Sequence, residues 1–427
     1  MFLRRFNPTT IDPLYLVNRA TDLDWLGGAV SDYLRDADPR AHGPLPFCIL
    51  GEKGVGKTIF TRAALRQARE QFSDRAIFVE VDCRDFRTAK AAIDAIAKNV
   101  VEALDDLRGT GTPVSSELMS TAQMLAAITR FDDAELKDVH QHLVQFRAAT
   151  SLKGEQALLR VLKLDFQISI ERSISTTSEL SGKVRFDEMR LCRALAALFE
   201  DIRRSDIDIV LYIDNMDELS HHFQTAEERQ KARRDTEVLL ALREARIIFI
   251  VAMRTYYSGI LPREIANTHI LGRLPIGELL AILEKRLDLE RPEVKQAVGD
   301  LKAIVVKVAN RAPTPLAFLT WFKALFEAGA LSEEKLEAGV TEFLERSYAT
   351  IPAGVWQRVV AAFAHPDDVI SREALLNACD GNEARFNQIV DRQGVLPKDF
   401  WSPTTYYTLD PELHIVHPLA AAPGVKI

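Results

Sequence analysis

The sequence predicts an α/β fold in which helices cover both faces of a parallel sheet, followed by a helical domain and a smaller mixed domain. Two observations carry this prediction. Up to about residue 274, short and almost continuously apolar runs alternate with helical patterns, which is typical of parallel strands buried on both faces. From residue 275 the apolar residues keep only a helical spacing, until two strand-like runs reappear near the C-terminus.

Five apolar runs are the predicted strands of the sheet. Phe60, Ala63 and Ala68 have the spacing of one buried helical stripe, so a helix is predicted over 58–71. A second helix is predicted over 91–107, after the second strand. The predicted strands are 46–50, 76–81, 207–213, 247–252 and 268–271.

A long connection, about 108–186, separates the second strand from the third. Apolar alternation predicts a β-hairpin there, with strands at 164–170 and 180–186 and a serine-rich tip between them. The insertion would either contact a partner or form a packed extension of the core, and the sequence leaves both open. Helical patterns are predicted near 134–146 and 155–162.

The C-terminal part is predicted to contain two domains. A helical bundle, or lid, spans 275–350, and three short helices followed by two strands over 351–427 have the order of a winged-helix domain. The predicted bundle helices lie near 279–287, 304–308, 316–326 and 336–344, the later helices at 356–363, 372–378 and 383–393, and the strands at 395–401 and 406–416.

Residues 51–58 match the pattern G-x-x-x-x-G-K-[ST] at every position, between a predicted strand and a predicted helix. The glycines allow backbone N–H groups to turn toward phosphate oxygens, and the positive end of the helix faces the same anion. Lys57 is predicted to neutralise phosphate charge, and the Thr58 hydroxyl to bind Mg²⁺. This P-loop pattern predicts that ATP binds through Gly51, Glu52, Lys53, Gly54, Val55, Gly56, Lys57, Thr58 and Ile59.

Two strand ends complete the predicted site. Asp214 follows the run 207–213, and a carboxylate there can hold the Mg²⁺ through water. Arg254 follows the next apolar run, so in a parallel sheet it lies beside the strand that ends in Asp214. Its guanidinium could bind the γ-phosphate bidentately, or it could extend from the strand end into solvent.

Asn215 directly follows the magnesium carboxylate, and an amide can orient water but cannot accept its proton, so the catalytic base must be another residue. If the chain stays extended, Asp217 faces the same side as Asn215 and is the first choice, with Glu218 the second. Either acid could instead cap a helix. Slow hydrolysis is consistent with this arrangement.

Other residues give weaker signals. Arg311 begins a bundle helix and could reach the phosphates if the bundle closes over the nucleotide, or could belong to an ordinary helix connection. His221 and His222 lack a nearby third metal ligand and are interpreted as solvated. Arg229, Arg233 and Arg234 have two interpretations. One of them could be an arginine finger for a neighbouring subunit, or all three could lie on a solvated helix face.

Together these features resemble the AAA+ and STAND-type P-loop ATPases, and most closely the branch that contains origin-recognition initiators. The resemblance rests on 51–58, Asp214, Arg254 with the segment 274–280, and the segment 17–26, which includes Arg19. It implies that Arg19 helps to form the adenine pocket, and that ATP controls contacts with the lid and with other subunits. Asn215, the insertion and the lack of a glycine-arginine sensor depart from the family pattern.

Composition limits the function classes. With 54 Lys and Arg against 61 Asp and Glu, the net charge of −7 does not demand a nucleic-acid or anionic-membrane partner, and the four separated cysteines do not indicate a disulfide framework or a zinc site. No leader or membrane-spanning pattern is found, so a cytoplasmic protein is expected.

Two functions compete: an ATP-driven switch or assembly ATPase whose winged helix binds DNA, and a regulatory ATPase whose winged helix binds a partner protein, for example in a bacterial defence operon. The region 350–427 carries six basic and nine acidic residues, which weakens the DNA hypothesis. A small-molecule kinase is disfavoured because no acceptor pocket is evident. A homo-oligomer is expected.

Overall fold

The computed structural model describes residues 3, 6–9, 16, 19–35, 43–130, 134–135, 183–184, 188–220, 226–262, 265, 267–347, 351–391, 394–399 and 406–417. Its five-stranded parallel sheet has the spatial order β2-β3-β4-β1-β5. All five predicted strands are confirmed, with ends that differ by two residues at most. The strands are β1 Leu45–Gly51, β2 Ala76–Asp82, β3 Asp208–Asp214, β4 Ile248–Arg254 and β5 Asn267–Leu271.

Helices cover both faces of this sheet because successive strand residues point to opposite sides. In β1, Cys48 and Leu50 belong to one apolar cluster and Phe47 and Ile49 to another. Helices α1 and α2 complete the second cluster, and α3, α4 and α5 complete the first. The helices are α1 Ala20–Arg35, α2 Lys57–Phe72, α3 Ala89–Gly109, α4 Ser116–Thr129, α5 Glu188–Arg204 and α6 Ala226–Leu240.

The elements after residue 275 share one apolar core. Trp321 and Trp356, from the two predicted C-terminal domains, are both fully buried in it, and the Trp321 indole N–H donates to the Glu412 carbonyl at 2.7 Å. A three-stranded antiparallel sheet, in the order β6-β8-β7, lies at its far end. The elements are α7 Ile276–Leu287, α8 Pro292–Asp300, α9 Lys302–Arg311, α10 Pro315–Glu327, α11 Leu336–Ser347, α12 Ala353–Ala361, β6 Val369–Ser371, α13 Arg372–Ala378, α14 Glu383–Asp391, β7 Val395–Pro397 and β8 Tyr406–Leu409.

The last predicted strand is too long. The strand β8 stops at Leu409, and a 3-10 helix spans Pro411–Val416. The Asp410 side chain caps this turn by accepting from the Glu412 N–H at 2.8 Å, and Pro411 has no N–H for a strand ladder. The sequence interpretation also missed α4, α5, α8 and β6.

The insertion is described only in part. Ala134–Glu135 pairs in antiparallel fashion with Lys183–Val184, so the helix predicted from residue 134 is wrong at its start. The rest of that helix, the one near 155–162 and the strand 164–170 lie outside the described residues, as does most of 180–186.

The register of the sheet brings the predicted site residues to one edge. Asp82 is the register partner of Asp214, and Gly51 is the partner of Arg254. The carboxyl ends of parallel strands are where α/β sheets bind ligands. The edge therefore carries the phosphate loop, two carboxylates and an arginine on adjacent strands.

Candidate functional site

A cleft of about 250 Å³ lies at this carboxyl edge. The phosphate loop forms one wall, α7 and α10 form another, and the segment before α1 closes the side. Its lining includes Pro8, Arg19, Lys57, Arg84, Glu218 and Leu316. Parts of the sheet unit and of the helical unit thus surround the same space.

Two glycines give the phosphate loop its shape. Gly54 and Gly56 have φ of +77° and +102°, a conformation that L-residues with side chains rarely adopt. A Cβ on Gly54 would lie 2.6 Å from the Cβ of Leu316, so this glycine also allows α10 to pack on the loop. No side chain caps α2 after Gly56, which leaves the first N–H groups of that helix available to an anion.

Lys57 folds back onto this loop. Its ammonium donates to the carbonyl oxygens of Gly51 at 2.9 Å and Glu52 at 3.0 Å. Burial lowers the pKa of Lys57 to about 8, against the opposing effect of nearby carboxylates that include Asp217. Because the pKa of this buried ammonium lies so close to neutral pH, an anionic partner would stabilise its charged form, and the predicted phosphate contact supplies such a partner.

Thr58 and Asp214 form the predicted metal pair. The Thr58 hydroxyl donates to Asp214 Oδ2 at 2.6 Å, and Asp214 is fully buried. Burial raises the pKa of Asp214, which the hydrogen bond from Thr58 partly offsets. A hydroxyl and a carboxylate at the loop's helix end are hard oxygen ligands of the kind that Mg²⁺ prefers, so these residues fit a magnesium–nucleotide complex.

The structure gives the two candidate bases, Asp217 and Glu218, different surroundings. The chain turns into a 3-10 helix at Met216–Ser220, so the premise of an extended chain is wrong. Asp217 is buried and accepts from the Arg254 backbone N–H at 3.0 Å, whereas Glu218 lines the cleft. Asn215 has φ of +52° and donates through its side-chain amide to Asp82 Oδ1 at 3.0 Å.

Arg254 lies where the sequence predicts, beside β3, and also lines the cleft. Its Nε is 3.0 Å from Asp217 Oδ2, and its Nη2 pairs with Glu218. Burial lowers the pKa of Arg254, but Tyr256, Asp217 and Glu218 outweigh it and raise that pKa overall. The arginine is a buried, permanent cation held between two acids, and its solvated alternative is wrong.

The two outlying arginines have different positions. Arg19 lines the cleft and donates to the Gly272 carbonyl at 2.7 Å. Arg311 does not take the predicted path to the phosphates. Its guanidinium is buried against Glu337 and the Ile415 carbonyl, and it is absent from the lining of the described cleft. It begins no lid helix but ends α9, so its side chain joins the bundle to the C-terminal turn.

Other predicted residues lie away from the cleft or outside the described chain. Arg233 is exposed on α6 and pairs with Glu237 at 3.0 Å, as on a solvated helix face. Arg229 and Arg234 lie on the same helix, and His221 and His222 are outside the described residues.

Sequence analysis missed Arg84 and Asp82 entirely. Arg84 lines the cleft, and Asp82 ends the strand beside β3. The signal was present, since β2 was predicted and the carboxyl ends of parallel strands share one edge. The residues that follow β2 could have been added to the site on that ground.

The outer side of the phosphate loop contacts the C-terminal elements. Lys53 lies 3.1 Å from a Glu412 carboxylate oxygen, and Arg273 pairs with Glu52 at 2.7 Å and with Asp367 at 2.6 Å. Burial raises the pKa of Asp410, the cap of the final turn, to about 6, partly offset by Lys53. The loop is therefore tied to the C-terminal unit by its own side chains.

Comparison with known proteins gives a family and several similar folds. The chain is similar to Cdc6p from Pyrobaculum aerophilum (13% identity, 96% of each chain covered, TM-score 0.40). It is also similar to Orc1 from Aeropyrum pernix, solved in complex with DNA (13% identity, 94% of this chain and 91% of that chain, TM-score 0.43). A Walker-type ATPase of Pyrococcus abyssi is 11% identical over 94% of this chain and 95% of that chain, with a TM-score of 0.41. No curated protein matches the sequence.

Among the described helices, none combines the length and the apolar character needed to cross a membrane.

The sequence profile of the AAA ATPase domain matches residues 28–242, half of the chain, and this stretch contains both the phosphate loop and Asp214. The protein belongs to the AAA ATPase family.

Proposed function

We propose that the protein is an ATP-dependent molecular switch of the AAA+ and STAND type, in which the nucleotide in the cleft controls how the C-terminal elements are held against the sheet. A P-loop ATPase core over 1–274, a helical lid over 275–350 and a winged-helix-like domain over 351–427 are the parts of this switch. The observation that carries the proposal is the set of ion pairs between the phosphate loop and the C-terminal unit.

Nucleotide binding follows from the loop. The N–H groups of the first turn of α2 and the Lys57 ammonium bind the phosphates, while Arg19 lies on the cleft wall where the base would pack. Thr58 and Asp214 would hold Mg²⁺. The ion, when bound, neutralises charge that develops on the phosphates.

Hydrolysis requires a group that orients and deprotonates water. Glu218 is our choice, because it is the candidate carboxylate on the cleft wall, whereas Asp217 is buried against Arg254. Glu218 is also paired with Arg254, so it must leave that guanidinium, or share it with phosphate, before it can accept a proton. This competition makes slow basal turnover the expected behaviour.

Coupling to the rest of the molecule runs through the loop. Lys53 and Glu52 are phosphate-loop residues. Lys53 pairs with Glu412 of the C-terminal unit, and Glu52 is linked to Asp367 of that unit through Arg273, which pairs with both acids. Phosphate binding that shifts the loop would change these distances together. Partly exposed ion pairs contribute about 1 kcal/mol or less each, so several acting at once supply the few kcal/mol that a conformational switch needs.

A protein partner fits the C-terminal unit better than DNA does. Each described arginine near α14 already has a carboxylate partner, since Arg358 and Arg385 share Asp380 and Arg372 pairs with Glu383. Apolar side chains are exposed nearby, at Val369 on β6 and Tyr406 on β8. A face that binds DNA is normally basic, so a regulatory ATPase that engages a protein is the favoured variant, with self-association promoted by ATP.

The nucleotide part is tested by thermal unfolding with and without magnesium and ATP. Wild-type protein should be stabilised by a few degrees at saturating ATP. Lys57→Ala should lose that shift, whereas the matched control Lys98→Ala, on an exposed side chain of α3, should keep it. An equal shift in the Lys57 variant would contradict the site.

The partner class is tested by retention on immobilised duplex DNA at low salt. We expect no retention with or without ATP. Salt-sensitive retention would restore the DNA-binding form of the switch.

A further inference from the structure

Arg84 lies at the nucleotide cleft in a short turn directly after β2. The turn Cys83–Asp85 is closed by the Asp82 side chain, which accepts from the Arg84 backbone N–H at 3.1 Å. The register of β2 and β3 sets Asp82 opposite Asp214. Arg84 therefore follows the strand that pairs with β3, which ends in Asp214, and it lies on the wall of the same cleft.

The Arg84 guanidinium is held by one carboxylate. Its Nε lies 3.1 Å from Asp82 Oδ1 and 2.9 Å from Oδ2. The same Asp82 oxygen, Oδ1, accepts from the Asn215 side chain at 3.0 Å. Asp82 thus keeps a second hydrogen-bonded partner if the arginine moves away.

The other cations of the described cleft wall are more firmly held. Arg254 is buried between Asp217 and Glu218, and Lys57 is buried on loop carbonyls. The Arg84 side chain is 56% exposed, against 7% for Arg254, 10% for Arg19 and 27% for Lys53. An exposed ion pair contributes about 1 kcal/mol or less, so Arg84 can exchange partners at small cost.

We propose that Arg84 distinguishes ATP from ADP by leaving Asp82 and binding the terminal phosphate. This inference rests on the proposed nucleotide site. A guanidinium matches two phosphate oxygens as well as it matches a carboxylate, and the β2 end adjoins the metal pair where the terminal phosphate is expected. With ADP no such phosphate is present, and Arg84 stays on Asp82.

The test compares the affinities of a non-hydrolysable ATP analogue and of ADP, both with Mg²⁺, by calorimetry. The wild type should prefer the triphosphate. Arg84→Gln should weaken the analogue about tenfold or more and change ADP less than twofold. Arg87→Gln is the matched control, an exposed arginine close by in the chain that should behave as wild type.

The variant Asp82→Asn distinguishes phosphate binding by Arg84 from a purely structural role of the Arg84–Asp82 ion pair. That change frees Arg84, so the preference for the triphosphate should persist or increase. If Asp82→Asn loses the preference as Arg84→Gln does, the pair matters for shape alone and the proposal fails. Arg84→Lys, which keeps the charge but not the fork, should retain part of the preference and serves if the glutamine variant does not fold.

Two further results would overturn the inference: equal loss of both nucleotides in Arg84→Gln, or no preference in the wild type. If the wild type binds neither nucleotide, the proposed function itself fails. That outcome differs from one in which both nucleotides bind and Arg84→Gln leaves their ratio unchanged, which overturns the role of Arg84 alone.

Discussion

Lys53 and Thr58 belong to the same phosphate loop, yet their surroundings differ. Thr58 faces inward, to the fully buried Asp214, and the neighbouring Lys57 is buried against the loop's own carbonyls. The Lys53 ammonium instead pairs with the partly exposed Glu412 of the C-terminal unit. Buried polar contacts hold one geometry because breaking them leaves unpaired groups, whereas exposed pairs exchange with water readily. The inner side is therefore suited to holding the nucleotide in one geometry, and the outer side to coupling the loop to the C-terminal unit.

The largest effect should come from the inner side, on turnover. Glu218→Gln removes the cleft carboxylate and should lower the rate of phosphate release by about 100-fold or more. It should destabilise the fold less than Asp217→Asn does, because Glu218 is the less buried of the two partners of Arg254. Asp217→Asn should act differently, because it leaves the buried Arg254 short of a charge and costs roughly 3 kcal/mol of unfolding free energy.

Phosphate release and thermal unfolding, measured on both variants, separate the two acids. If Asp217→Asn abolished turnover at unchanged stability while Glu218→Gln remained active, Asp217 would be the base, as the extended-chain hypothesis had it. The 3-10 turn after β3 would then supply the catalytic base from its buried side.

The outer side should give the smallest effect on stability. Lys53→Ala removes the pair with Glu412 and should lower the unfolding free energy by no more than about 1 kcal/mol. Its specific consequence should be faster hydrogen exchange within Pro411–Val416, the turn that Glu412 belongs to. Lys307→Ala, which breaks an exposed pair with Glu333, is the matched control. Unchanged exchange in the Lys53 variant would remove the outer side from the proposed coupling.

Local patterns predicted the sheet because each strand carries its own burial signal. The apolar run before Asp214 and the glycines at 54 and 56 need no distant partner to be recognised. The same reasoning failed for the strand predicted over 406–416, where one proline and one capping aspartate end β8. Short elements are decided by single residues, and periodicity does not report them.

Roles within the site were harder to predict than its location. The choice between Asp217 and Glu218 depended on whether the chain after Asp214 continued as a strand, and it turns instead. Arg311 had a plausible path to the phosphates in the sequence, but in the fold its guanidinium finds Glu337 and the Ile415 carbonyl. Arg84 could not be predicted in the same way, because its partner Asp82 reaches the site only through the pairing of β2 with β3.

The sequence by itself determined the class of protein and the place where phosphate would bind, because a glycine loop between a strand and a helix is a local structure. The tertiary structure alone decided which acid lines the cleft, which arginine of the cleft is exposed, and which elements pair with the loop's outer side chains. Those properties depend on burial and on pairs of groups far apart in the chain, and neither is encoded in spacing along it.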